Sequence, residues 1–178
     1  GAVLEDGFGN PIEVYGDDDE ESLARAVESS VPSGTPSEHL AVAWAVRNRA
    51  RRLCVPVTLL VAPGGEHGPR GTGGRNFVSS AREGSARARS TAKHVLAQGR
   101  GQDPTGDAID FWKPAQQRQL STLALAHAIA VESGDETAAE VLAPFAPYRA
   151  SEDETRAGLL ASGLRVRGVV GNIELLGE

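Results

Sequence analysis

Thr35-Pro36-Ser-Glu38-His39-Leu40-Ala-Val-Ala43-Trp44-Ala-Val-Arg47-Asn48-Arg49-Ala50-Arg51-Arg52-Leu53 is the stretch from which the fold is read. Thr35 offers an N-cap hydroxyl. Pro36 takes the first helical position, where a missing N–H leaves no bond unmade, and Glu38 stands three residues after the cap to complete a capping box. Leu40, Ala43, Trp44 and Arg47 or Ala50 then recur at spacings of three and four, the period of a helix with one buried face. A helix to about Leu53 is predicted, with Trp44 in the core and His39 at a solvent-facing start without an evident partner.

Upstream, Asp17 to Glu21 form an acidic run, which suits a first turn whose free N–H groups and dipole favour carboxylates. That predicts a helix carrying Leu23, Ala26, Val27 and Ser30 on one side and ending near Val31-Pro32-Ser33-Gly34. Residues 1–16 mix Gly, Pro and polar side chains without a period and read as an irregular lead-in or a short hairpin. Downstream, Val55 to Ala62 fits either a helical turn or a strand. Pro63 to Arg75 is too rich in Gly and Pro to order itself around a core and reads as a surface loop.

Ser85 to Gln98 predicts an Arg-rich helix with Ala86, Ala92, Val95 and Leu96 inward, stopped by Gly99. Asp103-Pro-Thr-Gly106 is turn chemistry, Ala108 to Trp112 a short extended piece, and Pro114 or Ala115 the start of a long helix to about Ser133. Thr137 to Leu142 reads as helix, Ser151 with Glu154 as a second capping box for a helix to Ala161, and the alternating tail from Leu164 as a small hairpin. The fold class is mainly α with a small β element (α+β). Residues 17–178 form one domain, within which 132–163 read as an insertion.

The 178 residues are 40% apolar, enough for one core, and only 4% aromatic. A net charge of -6 and a pI near 5.3 argue against a surface built to hold nucleic acid. Arg47, Arg49, Arg51, Arg52, Arg82, Arg87, Arg89 and Lys93 gather locally; the plain reading is a solvated helix face, the functional one attraction to an anionic polymer such as bacterial wall. Cys54, the single cysteine, excludes an internal disulfide and reads as a buried, inert thiol. No apolar stretch approaches the ~20 residues of a membrane span, so no membrane insertion is expected. The chain has no Met, so its native start is expected upstream, with room there for a targeting segment.

Four ordered stretches resemble the SleB-like cell-wall hydrolase family, which includes spore cortex-lytic enzymes. Leu23-Ala-Arg-Ala-Val-Glu28, followed by Ala41-Val-Ala-Trp-Ala-Val-Arg-Asn48-Arg49, is similar to that family's catalytic-Glu helix and its apolar helix ending in Asn-Arg. Asn76-Phe77-Val-Ser79 resembles its Gln-Phe-Ser segment. Ala92 to Gly99 with Asp103-Pro-Thr-Gly106-Asp-Ala108-Ile-Asp-Phe111-Trp112-Lys-Pro114 resembles its Val-Leu-x-Gly helix and Asp-Pro-Thr-Gly signature, and Val170-Gly171-Asn172 its closing Gly-Asn element.

The resemblance implies a lysozyme-like helical fold that cleaves peptidoglycan glycan strands between N-acetylmuramic acid and N-acetylglucosamine as a lytic transglycosylase, with Glu28 catalytic and no cofactor or metal. It places the protein in the bacterial cell wall or periplasm, exported or delivered, or within a secretion, phage or wall-remodelling assembly. A carboxylic acid is needed because a glycosidic oxygen leaves only when protonated, and an acid among apolar groups keeps its proton at higher pH. Val27, Val31 and Phe111 or Trp112 are candidates to line it. Phe77 and Trp112 are the expected cleft walls, and Asn76, Ser79 and Thr105 the expected hydrogen-bonding groups for sugar. Glu38, Asp103, Asp107 and Asp110 are candidate second carboxylates for a water-using muramidase, with capping, turn formation or solvent exposure as the simpler roles.

Three departures motivate a rival, a non-catalytic wall-binding or assembly module of the same fold. No acid follows Glu28 within Ser29 to Gly34, Asn76 replaces Gln, and Ile173 replaces His. A zinc hydrolase is disfavoured because His39, His67, His94 and His127 form no helical pair.

Overall fold

The computed structural model describes residues 2–5, 11–67 and 83–178. Among them are seven α-helices and five strands: β1 (Ala2–Glu5), β2 (Pro11–Val14), α1 (Asp17–Ser30), α2 (Pro36–Arg52), α3 (Val57–Val61), α4 (Ala86–Ala97), β3 (Asp110–Trp112), α5 (Pro114–Ser133), α6 (Glu136–Leu142), α7 (Glu152–Ala161), β4 (Arg165–Val170) and β5 (Ile173–Gly177). The fold is mainly α with a small antiparallel sheet. β1 and β2 pair as a hairpin, while β5 lies between β3 and β4.

α2 is the centre of the molecule. Ala41 through Asn48 are all buried, so the helix has neighbours on every side rather than along one stripe. α1, α3, α4 and the β3–β5 sheet supply them. Alanines at 24, 26, 41, 43, 88 and 92 line these contacts and let the helices approach closely, with Trp44 as the largest fully buried side chain. The capping box forms as predicted: the Glu38 amide donates to Thr35 Oγ1 at 3.2 Å and the Thr35 amide to Glu38 Oε1 at 3.0 Å.

A helix buried all round must satisfy its polar side chains internally. Arg47 does so through four bonds, from Nε to the Tyr15 hydroxyl (3.2 Å), from Nη1 to the carbonyls of Val95 (2.7 Å) and Gln98 (2.9 Å), and from Nη2 to Glu13 Oε2 (2.7 Å). Its guanidinium also lies 4.7 Å from the centre of the Trp44 ring. The lead-in is thereby stapled to the core, with Tyr15 packed against it. Asn48 Nδ2 donates to Asp103 Oδ2 at 2.8 Å and to the Ala108 carbonyl at 2.9 Å, fixing the approach to β3.

Several expectations are corrected. Arg47 is interior, not part of a solvated face. His39 is buried, with Nε2 2.9 Å from the Val31 carbonyl. Cys54 is exposed with φ 56°, because the chain reverses just after α2. In α4 Ala92 and Val95 face inward as expected, with Leu96 half-buried against the core, while Ala88 is the further buried residue and Ala86 is exposed. Apart from these corrections, α6 and α7, within the stretch 132–163, pack on α5.

Candidate functional site

Glu28 lies in the last turn of α1, between Val27 and Val31 of the core. It is buried, and among the described residues its Oε2 has no hydrogen-bond partner. A buried acceptor left without a donor costs about 1–3 kcal/mol, so an oxygen of this kind is unusual enough to ask what it serves. One turn earlier, Gly84 is pressed onto Ala24: a Cβ there would stand 2.8 Å from the Ala24 Cβ and 3.2 Å from its carbonyl carbon. Only glycine allows the chain entering α4 to come this close to the catalytic-candidate helix.

The other side is set by the end of β3. Lys113 Nζ donates to the Ser30 carbonyl, two residues after Glu28. Burial holds the Lys113 ammonium below the ordinary lysine range, and the charge of Glu38 partly opposes that shift. Glu38 itself sits lower than an ordinary carboxylate, chiefly because the Thr35 amide donates to it and secondarily because the Asn172 amide does, at 3.3 Å. Gly171 is in the left-handed region at φ 56°, and a Cβ there would meet Glu38 Cδ at 2.9 Å. The Gly171-Asn172 turn is therefore built onto the start of α2, beside the end of α1.

Successive residues of a strand face opposite sides. Phe111 and Lys113 therefore share one side of β3, where Phe111 packs on the core and its ring stacks on His67 at 5.8 Å between centroids. Trp112 takes the other side, opposite Glu174 on β5. There the Arg156 guanidinium lies 5.1 Å over its ring and is held by Glu174 at 2.6 and 2.8 Å. Of the two aromatics expected near Glu28, the strand turns Phe111 toward the helices and Trp112 toward α7.

Thr105 is placed at the opposite end of α2. Its hydroxyl donates to Asp103 Oδ1 at 2.6 Å and accepts from the Ala108 amide at 3.3 Å, so it serves the turn. That turn is anchored by Asn48, ten residues from Glu38 on one helix, roughly 15 Å along its axis at 1.5 Å per residue. A depression of about 420 Å³ at this far end is lined by Asn48, Arg51, Arg52, Asp107, Ile109, Arg167 and Glu178. Asn76, Phe77 and Ser79 lie outside the described residues.

Lys113 is the site-adjacent residue that sequence reasoning passed over. Lys113 had a legible signal, since a cation at the N-cap of a long helix opposes the dipole and needs another reason to be there. No family model matches this chain, and no curated protein or solved structure matches it significantly. Among the described residues no cluster of His, Cys, Asp or Glu is arranged to hold a metal ion, and no helix is long and apolar enough to cross a membrane.

Proposed function

We propose that this protein cleaves peptidoglycan glycan strands with Glu28 as its single acid/base group. The observation that carries the reading is the buried Glu28 carboxyl, one oxygen of which accepts no hydrogen bond among the described residues, in the last turn of a helix whose Ser30 carbonyl accepts from Lys113. Its position in Leu23-Ala-Arg-Ala-Val-Glu28 matches the catalytic position of the SleB-like hydrolases that the sequence resembles. The Glu28 acid gives its proton to the bridging oxygen as the C1–O bond of N-acetylmuramic acid breaks, and the N-acetylglucosamine hydroxyl departs. The Glu28 carboxylate then takes the proton of the C6 hydroxyl, whose oxygen bonds to C1 and closes a 1,6-anhydro ring.

The carboxylates expected to activate water in the alternative route are engaged. Glu38 accepts from two amides, Asp103 from Thr105 and Asn48, and Asp110 Oδ1 from the Phe111 amide at 2.8 Å. Asp107 is exposed, on the turn at the far end of α2. This favours the ring-closing route over a water-using muramidase. A second reading, a non-catalytic wall-binding module of the same fold, is favoured by the use of Thr105 within its own turn and the covering of Trp112 by Arg156.

Digestion of purified peptidoglycan followed by mass spectrometry of the muropeptides separates these readings. Anhydro ends that vanish in Glu28→Gln are expected. Reducing ends alone point to the water-using route, and an undigested wall that still retains the protein points to the binding module.

A further inference from the structure

We infer that α5 is a self-association surface on which two copies of this chain pair antiparallel about Leu125. α5 runs for 20 residues, yet only Leu120, Ala124 and Ala130 are buried. Between Arg118 and Glu132 it carries no Asp, Glu, Lys or Arg. Arg118, Thr122, Leu125, Ile129 and Glu132 follow one another at intervals of four, three, four and three, so they form one stripe along the helix, and all five are exposed. Leu125 and Ile129 are 62% and 57% exposed at its centre. Leu125 and Ile129, neighbours on a stretch of helix that carries no charge of its own between Arg118 and Glu132, are costly to leave in water and mark a contact surface.

The charges at the ends of the stripe identify the occupant. Arg118 and Glu132 stand seven residues on either side of Leu125, so a two-fold axis at Leu125 sets each Arg118 against the partner copy's Glu132. The same axis places Ser121, a small residue, opposite Ile129 of the second copy, and Leu125 opposite itself. The hydroxyls along this face do not compete, because Ser121 and Thr122 both donate to the Arg118 carbonyl, at 3.0 and 2.9 Å. Arg118 is also steadied from behind by Glu152 at 2.7 Å while its side chain stays 65% exposed. A stripe with opposite charges equidistant from its midpoint is complementary to itself in the antiparallel sense, whereas a parallel pair would set like against like.

Sedimentation equilibrium of the chain tests this, with far-UV circular dichroism confirming that each variant is folded. A concentration-dependent dimer is expected. Glu132→Arg should weaken it about tenfold, since two attractions become repulsions, and Arg118→Glu with Glu132→Arg should restore it once Glu152→Gln removes the like charge that Glu152 would set against the new carboxylate. Leu125→Arg should give monomer. In a Cys54→Ser background, Leu125→Cys should oxidise to a disulfide-linked dimer. A wild type that stays monomeric at every concentration overturns the inference. So does a dimer indifferent to Leu125→Arg, or a reversal with Glu152→Gln as weak as Glu132→Arg alone.

Discussion

Lys113 donates its ammonium to the Ser30 carbonyl, joining the end of the β-strand to the last turn of the helix that carries Glu28. The bond satisfies a carbonyl that α1 cannot use, because helix ends leave their last acceptors open. A buried cation is an expensive means to that end, and burial pushes the Lys113 proton affinity down accordingly.

The sign of the resulting pH dependence follows. Between the lowered folded value and the unfolded value of 10.5, the unfolded chain binds more protons at Lys113 than the folded one, so stability from this group rises with pH. Urea denaturation of wild type and Lys113→Met across alkaline pH should show the difference moving in favour of wild type as pH approaches that value. Tyr15, whose hydroxyl burial raises above the ordinary range, works in the opposite direction above pH 10, but it is common to both proteins and cancels. A difference that is flat with pH would remove the buried-ammonium account.

Glu38 predicts the acid side. Its folded affinity for protons is lowered, so its contribution is present above the unfolded value of 4.5 and is lost as pH falls through the folded one. Glu38→Gln keeps an acceptor for Thr35 but offers poorer bonding to the Asn172 amide. It should cost about 1 kcal/mol near neutral pH, the scale of a lost cap, and the gap should close in acid. Equal gaps at both pH extremes would mean that packing, not charge, carries the effect.

How much of this was legible in the sequence depends on whether the signal was local. Thr35, Pro36 and Glu38 start α2 through bonds made within four residues, and Ser151 with Glu154 starts α7 in the same way, so both helix starts could be read directly. The Asp103 turn was equally local. Arg47 stood between two readings, on the buried stripe by its spacing from Ala43 and Trp44 and in the solvated basic cluster by its charge. Its interior place comes from Glu13 and Val95, 34 and 48 residues away. The unbroken run from Leu40 to Val46 was the available hint that α2 is central. Near Glu28, alternation along β3 would have separated Phe111 from Trp112, had the strand been phased against the core before either was assigned to a cleft.

Arg47 is the test of that interior hub. Arg47→Ala should cost about 3–5 kcal/mol in chemical denaturation, because it leaves Glu13 only Arg51 at 4.0 Å, takes the side-chain donor from the Gln98 carbonyl and leaves Val95 only the Gln98 amide. Arg47→Lys should recover little, since one ammonium cannot reproduce a planar fork aimed at Tyr15, Val95, Gln98 and Glu13 together. A lysine variant as stable as wild type would show that charge alone suffices at this position.

The two aromatics of β3 give the sharpest check on where sugar binds. Strand alternation sets Phe111 against the core, where β3 packs on α2, and turns Trp112 toward Arg156. If the glycan lies beside Glu28, the aromatic face it meets on this strand is Phe111. Phe111→Leu, which keeps apolar bulk and removes the ring face, should lower kcat/KM on peptidoglycan about tenfold. Trp112→Phe should stay within about twofold, because it alters a stack on the opposite side of the sheet. Both variants should retain the wild-type circular dichroism spectrum. The reverse ranking would move the substrate to the Arg156 side of the sheet and separate Glu28 from it.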